Sequence, residues 1–236
     1  MKFPDPLIPG RLIKRYKRFL TDVELKDGEV VVAHCANSGS MLSVKEPGSE
    51  VWLSPARNPD RKLRYTWELI RVGDTLVGIN TALPNKIVEE AIQQGKIPEL
   101  GGYETLRREV KYGKNSRIDI LLEDPARPAC YVEVKNVTLR RGLEDGDPVE
   151  FPDSVTTRGT KHLVELSDMV AQGHRSVMVY LVQREDAETF TIAGDIDPDY
   201  KAALQKAMEA GVEIVCYDCA LDTDRIEVSK PVKLEL

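Results

Sequence analysis

The residues with the most chemical reach lie in two neighbouring stretches, Arg117-Ile118-Asp119-Ile120-Leu121-Leu122 and Tyr131-Val132-Glu133-Val134-Lys135. Alternation along a strand puts Glu133 and Lys135 on one face and sends Val132 and Val134 to the other, into packing. Asp119 sits inside an apolar run, where an unpaired carboxylate is costly to bury. A turn-rich linker, residues 123–128, separates the two stretches, and an antiparallel hairpin closed by it brings Asp119 beside Glu133. Two carboxylates, the backbone carbonyl between them and several waters make an oxygen-rich site suited to Mg²⁺ or Mn²⁺. The Lys135 ammonium is placed to orient or deprotonate a water, or to stabilise charge developing on a phosphate. The competing reading is an exposed E-x-K ion pair of small energetic effect. The apolar setting of Asp119 favours the first.

Other candidates surround this trio. Glu109, in Leu106-Arg107-Arg108-Glu109-Val110-Lys111-Tyr112-Gly113, is a further ligand for the metal, or an ordinary glutamate on a helix surface. Arg158, Lys161 and His162 fall at i, i+3 and i, i+4 at the start of an expected helix, within reach of a phosphate. At the N-terminal end, Arg11, Lys14, Arg15, Lys17 and Arg18 lie close together with Tyr16 and Phe19 interleaved. Lys14, Arg15, Lys17 and Arg18 are assigned to nucleic-acid binding, since cations with aromatics nearby suit backbone contacts and base stacking. Arg57, Arg61, Lys62 and Arg64 form a second basic cluster, and the polar turn at residues 34–41 is able to present backbone donors to phosphate. Cys216-Tyr-Asp-Cys219 closes an apolar strand-like run instead of opening a helix, and no second pair completes four ligands, so these read as two ordinary thiols.

The elements that must position these groups divide near Pro84. Before it, residues 11–24, 29–34, 49–53, 63–72 and 75–80 read as strands, the first placed by composition more than by period. Several short strands without helices indicate a small β-barrel over residues 1–83. From Pro84 helical spacing appears, first over residues 85–94 with a stop at Gly95, then over 156–172 and 199–210. Strands at 118–122, 129–134, 176–182 and 212–217 alternate with these helices and indicate an α/β domain with a mixed sheet over residues 84–236. The net charge of −6 hides an asymmetry: residues 1–83 hold 13 basic and 10 acidic residues, residues 84–236 hold 20 and 29. Nucleic-acid binding needs a local basic patch and not a basic average. No apolar run has the length of a membrane span and the first residues do not read as a secretory signal, so a cytoplasmic location is expected.

The order Asp119, hairpin, Glu133-x-Lys135 is also the arrangement of PD-(D/E)xK nucleases. Across nearly its whole length the chain resembles the sugar fermentation stimulation protein family. The resemblance is carried by Arg15-Tyr16-Lys17-Arg18-Phe19-Leu20, His34-Cys35-Ala36-Asn37-Ser38-Gly39-Ser40-Met41, Tyr65-Thr66-Trp67-Glu68-Leu69, Ser116-Arg117-Ile118-Asp119, Tyr131-Val132-Glu133-Val134-Lys135-Asn136-Val137-Thr138-Leu139 and Phe151-Pro152-Asp153-Ser154-Val155-Thr156-Thr157-Arg158-Gly159. It implies an N-terminal OB-like barrel followed by a nuclease-like α/β domain, with DNA binding and a role in regulating sugar-utilisation genes. Two functions are then expected to compete: a divalent-metal-dependent phosphodiesterase acting on DNA, and a non-catalytic DNA-binding regulator. RNA processing is a third reading. The presence of Asp119, Glu133 and Lys135 together favours the first. Oligomeric state is not legible.

Overall fold

Residues of the first strands alternate between interior and solvent. In β3 (Val30–Cys35), Val31, Ala33 and Cys35 are buried while Val30 and Val32 face out. With β1 (Ile8–Tyr16), β2 (Leu20–Leu25), β4 (Glu50–Pro55) and β5 (Tyr65–Val72) this strand forms a sheet of order β3-β2-β1-β4-β5, and parallel pairing of β3 with β5 closes it into a barrel. β6 (Thr75–Gly78) extends the sheet from β5. The barrel is filled by Leu12, Val23, Val51, Leu53, Trp67 and Ile70 among others. The structure, a computed structural model, describes every residue except Lys114, Leu143 and Asp145.

The run expected as one strand over residues 11–24 is two strands, antiparallel, with Tyr16 opposite Leu20. Lys17 and Arg18 turn the chain at φ of 47° and 63°. That left-handed region favours glycine or asparagine, so a Lys-Arg pair gives no turn signal in sequence.

From Pro84 onward the chain builds a second sheet of order β14-β13-β11-β9-β8-β7. Its strands are β7 (Thr105–Tyr112), β8 (Ser116–Asp124), β9 (Arg127–Val137), β11 (Arg175–Val182), β13 (Glu213–Leu221) and β14 (Ile226–Pro231). β9, β11 and β13 run parallel, and β7, β8 and β14 are antiparallel to their neighbours. The sheet is mixed, as expected. The segment with Glu109 is the edge strand β7 and not a helix. α1 (Pro84–Gln93) covers one face through Ile87, Val88 and Ala91, and α2 (Thr157–Ala171) and α3 (Pro198–Glu209) cover the other through Leu163, Leu166 and Leu204. A small parallel sheet of β10 (Val149–Phe151), β12 (Thr189–Ile192) and β15 (Lys233–Leu234) sits beside them.

Barrel and second sheet share a surface. Trp52 and Leu69 of the barrel belong to the same core as Ile120, Val132 and Val179. The Gly78 N–H donates to the Gln183 carbonyl at 2.8 Å. Residues 1–3 run along the start of β14, where the Phe3 N–H bonds the Asp224 carbonyl and the Ile226 N–H bonds the Met1 carbonyl. All four cysteines are buried free thiols. No helix is long and apolar enough to cross a membrane among the described residues.

Candidate functional site

The hairpin anticipated from the sequence forms, with Ile120 opposite Val132. Where that ladder ends, the Asp119 carboxylate takes over: its Oδ2 accepts the Val134 N–H at 2.8 Å. Its Oδ1 accepts the side-chain amide of Asn85, near the start of α1, at 2.8 Å. β8 rotates through this point, since Ile118 and Ile120 pack into opposite cores. β7 distorts at the same level. Glu109, between the pairs Arg108–Ile120 and Val110–Ile118, adopts a φ of 53°, a backbone state that costs a non-glycine residue ~1–3 kcal/mol. The Asn85 amide also lies 3.5 Å from Glu109 Oε1. Three neighbouring strands thus set Glu109, Asp119 and Glu133 at one level.

Glu133 is only 2% exposed. Its Oε1 accepts Lys135 Nζ at 2.7 Å and also meets His162 Nδ1 from α2. Lys135 Nζ is 3.5 Å from the same His162 nitrogen. Glu133 Oε2 and the Tyr112 hydroxyl are buried without a hydrogen-bond partner among the described residues. Burial raises the pKa of Asp119 and the charge of Glu133 raises it further, against the hydrogen bonds from Val134 and Asn85. Burial pushes Glu133 the same way, but the His162 and Lys135 contacts outweigh it and hold its pKa below the ordinary value. Burial first, and then the charges of Glu133, Glu165 and Asp119, push the Tyr112 phenol well above its ordinary range.

These residues fit a divalent cation. Glu133 offers an unpaired buried oxygen, and a positive charge would relieve the repulsion that Asp119 suffers from Glu133. Among the described residues no group of three or more His, Cys, Asp or Glu side chains stands ready as a cage. A cation here would therefore complete its shell with a backbone carbonyl, water or substrate oxygens, which is the usual habit of Mg²⁺.

Asp119, Glu133 and Lys135 lie in a cleft whose walls include Asn37, Ser38 and Gly39 of the barrel, Asn85, the stretch from Phe151 to Ser154, and Arg158. The barrel loop is clasped in place. Arg15 donates to the carbonyls of Asn37 and Gly39 at 2.9 and 3.0 Å, and Arg18 to that of Ser38 at 2.8 Å. Across the cleft, Asp153 Oδ2 accepts the Met41 N–H at 2.8 Å and its carbonyl accepts the Ser40 hydroxyl. Thr81 Oγ bonds the Ala36 carbonyl at 2.6 Å.

The structure sorts the expected phosphate contacts. Arg158 lines the cleft, its Nε 3.4 Å from His162 Nε2. His162 is 4% exposed and meets Glu133, and it lines the same cleft beside Arg158. Lys161 lies on the outer flank, where it bonds Ser116 Oγ at 3.1 Å and pairs with Glu165. Lys14 and Lys17 are exposed on the barrel, whereas Arg15 and Arg18 are engaged in holding the loop. Two residues that brace the site, Asn85 and Asp153, had no role assigned from the sequence. For Asn85 the available signal was a short amide beside the proline that opens the first helix.

Comparison with known proteins agrees with this architecture. Residues 13–79 match the SfsA N-terminal OB domain and residues 82–225 match the sugar fermentation stimulation protein RE domain. The chain is 65% identical over 229 residues to a sugar fermentation stimulation protein homolog of Rhodospirillum rubrum, covering 94% of each chain. It is 61% identical over 234 residues to that of Rhodospirillum centenum, covering 99% of each. The solved structure of Pyrococcus furiosus SfsA in complex with Ca²⁺ superposes with a TM-score of 0.88 at 27% identity, covering 100% of this chain and 98% of that one. An OB barrel joined to a mixed sheet, with matches that run almost end to end, places this chain in the sugar fermentation stimulation protein family.

Proposed function

We propose that the chain binds DNA across the cleft and hydrolyses a phosphodiester bond there. In this reading residues 1–83 are the OB-like unit that holds nucleic acid and residues 84–236 the nuclease-like unit that cuts it. The observation that carries it is the buried Asp119–Glu133 pair beside Lys135 on the wall of a cleft, with Glu133 Oε2 unpaired. Asp119 and Glu133 would hold Mg²⁺ or Mn²⁺, and Glu109, whose Oε1 lies 3.5 Å from the Asn85 amide that also binds Asp119, would act on the cation through a water of its shell. When bound, the cation supplies Lewis-acid polarisation of the phosphate and an activated water. The Ca²⁺ in the Pyrococcus furiosus relative supports divalent-cation binding by this fold.

The protein's own groups divide the remaining work. Asn85 fixes the Asp119 carboxylate, and His162 fixes that of Glu133. Lys135, already within 2.7 Å of Glu133, faces the attacking water or the phosphate charge. Arg158 on the cleft wall neutralises a neighbouring phosphate. Lys14 and Lys17 meet the backbone farther along the strand, and Arg15 and Arg18 act chiefly through the barrel loop.

The second reading, a DNA-binding regulator without turnover, has one observation in its favour: Lys135 and His162 both engage the same Glu133 oxygen, as in a closed structural network. Purified protein incubated with single- and double-stranded DNA in Mg²⁺, Mn²⁺ or chelator separates the two. Metal-dependent cleavage lost in Lys135→Ala is expected. Tight DNA binding with no cleavage by the wild type would leave the regulator. Cleavage that persists in Asp119→Asn would point to a contaminant or to another site on the protein.

A further inference from the structure

Several apolar side chains of the barrel face solvent, Ile13, Val30, Val32 and Leu42 among them, and Phe19, 46% exposed, is the aromatic one. It follows the two left-handed residues Lys17 and Arg18, and strain of that kind, at ~1–3 kcal/mol per residue, persists only where the surrounding structure or a function requires it. The turn is anchored at both ends. The Cys35 N–H bonds the Phe19 carbonyl at 2.9 Å, and Arg18 bonds the Ser38 carbonyl of the cleft wall at 2.8 Å. The Phe19 ring lies 20° from parallel to the His34 ring with centroids 6.5 Å apart. Burial, together with the charge of Arg61, lowers the His34 pKa. Lys17 and Arg18, which precede Phe19 in the turn, are both exposed and supply the cations beside it. A flat apolar face set among cations, and joined through one loop to the candidate site, asks for a ligand that is both planar and anionic.

Phosphates of a duplex would be served by the cations alone, because paired bases have both faces covered by their neighbours. Only an unstacked base can present its face to an exposed ring. We infer that Phe19 is a base-stacking contact, so that the DNA taken by the cleft carries an unpaired nucleotide at the barrel end. This rests on the DNA reading above and goes beyond it by naming the strandedness of the substrate.

Binding of a labelled single-stranded oligonucleotide, and of the same sequence as a blunt duplex, can be followed by fluorescence anisotropy in chelator, where cleavage plays no part. Wild type is expected to prefer the single strand. Phe19→Leu should lose about tenfold in affinity for it, equivalent to ~1.4 kcal/mol, and should bind the duplex as wild type does. Phe19→Trp should keep the affinity, and its emission should be quenched on binding. The two native tryptophans, Trp52 and Trp67, are buried at 9% and 0% exposure and give a constant background that a stacking base cannot reach. Equal single-strand binding by wild type and Phe19→Leu, or a wild-type preference for the duplex, would overturn the stacking role and leave the DNA reading standing. No binding of either DNA would overturn both.

Discussion

Asp119→Asn separates metal binding from folding. In the wild type this carboxylate is buried beside a second one, and burial together with Glu133 disfavours its charge. Asparagine removes the repulsion. Its carbonyl oxygen can still accept the Val134 N–H now bonded at 2.8 Å, and Asn85 can turn its own amide oxygen toward the new NH₂ group. Without metal the variant should therefore be as stable as wild type or more stable. The difference emerges on adding a divalent cation. A ligand that binds only the folded state stabilises it by about 2.7 kcal/mol at a hundredfold excess over Kd. For a chain of this size ~1 kcal/mol moves Tm by roughly 2–4 °C, so saturating Ca²⁺ should raise the wild-type Tm by about 5–10 °C. Asp119→Asn, having lost one of two ligands and half the local negative charge, should gain little. Thermal unfolding with Ca²⁺, Mg²⁺ or Mn²⁺ against chelator reads both effects. A wild-type Tm indifferent to all three ions, or an equal rise in the variant, would show that Asp119 and Glu133 do not form a cation site.

Three further outcomes follow from other parts of the structure. A Cβ at Gly39 would stand 2.6 Å from both carboxylate oxygens of Asp153, so Gly39→Ala should displace Asp153 from Met41. That removes one charge-assisted bond, ~1.5–3 kcal/mol, and weakens DNA binding. Urea titration of Gly39→Ala, Asp153→Ala and the double variant should show a combined effect well short of the sum. Asp186 bridges Arg184, which is 0% exposed, and Arg140, which is 7% exposed. Asp186→Ala leaves two buried guanidinium groups short of a counter-ion and should cost about 3–5 kcal/mol in urea unfolding. Burial opposes the charge of Asp186, but the Arg184 and Arg140 contacts lower its pKa below 3.8. Its stabilisation should therefore be complete above that value and be lost as pH falls through the folded-state pKa, a slope the variant should lack. Replacing exposed Lys14 and Lys17 with alanine should leave stability unchanged and reduce the slope of log affinity against log salt by roughly 0.7–0.9 for each phosphate no longer neutralised.

What could be read in the sequence was whatever repeats within one element. The Asp119, Glu133, Lys135 constellation was legible because strand alternation places Glu133 and Lys135 together and the short linker forces a hairpin. The helices from Pro84 and Thr157 were legible from their apolar spacing. β7 was not, because it is a charged edge strand with five of its eight residues exposed, and edge strands carry charge to block further pairing. His162 illustrates a different limit. Its spacing from Arg158 was visible, but the helix turns it inward to Glu133 only because Leu163 and Leu166 seat that face on the sheet. The docking of Met1 and Phe3 along β14 joins residues more than two hundred positions apart, and no local pattern announces it.

The barrel is not a tethered accessory to the site. Buried Glu68 accepts from Ser54 at 2.6 Å and from the Asn80 amide at 2.8 Å inside the junction. Gln183 bonds the Asn80 carbonyl at 3.4 Å and the Asn136 side chain at 2.6 Å, next to Lys135. A Cβ at Gly78 would lie 2.6 Å from Gln183 Oε1, so a larger residue there would push Gln183 out of these bonds. A rotation of the barrel would break these bonds together with the Asp153 clasp, leaving buried polar groups unpaired at ~1–3 kcal/mol each. The cost of several such losses fixes the barrel against the second sheet. A strand held by Phe19 and the exposed lysines would then reach Asp119 and Glu133 in a constant register, set by the fold and not by a flexible linker.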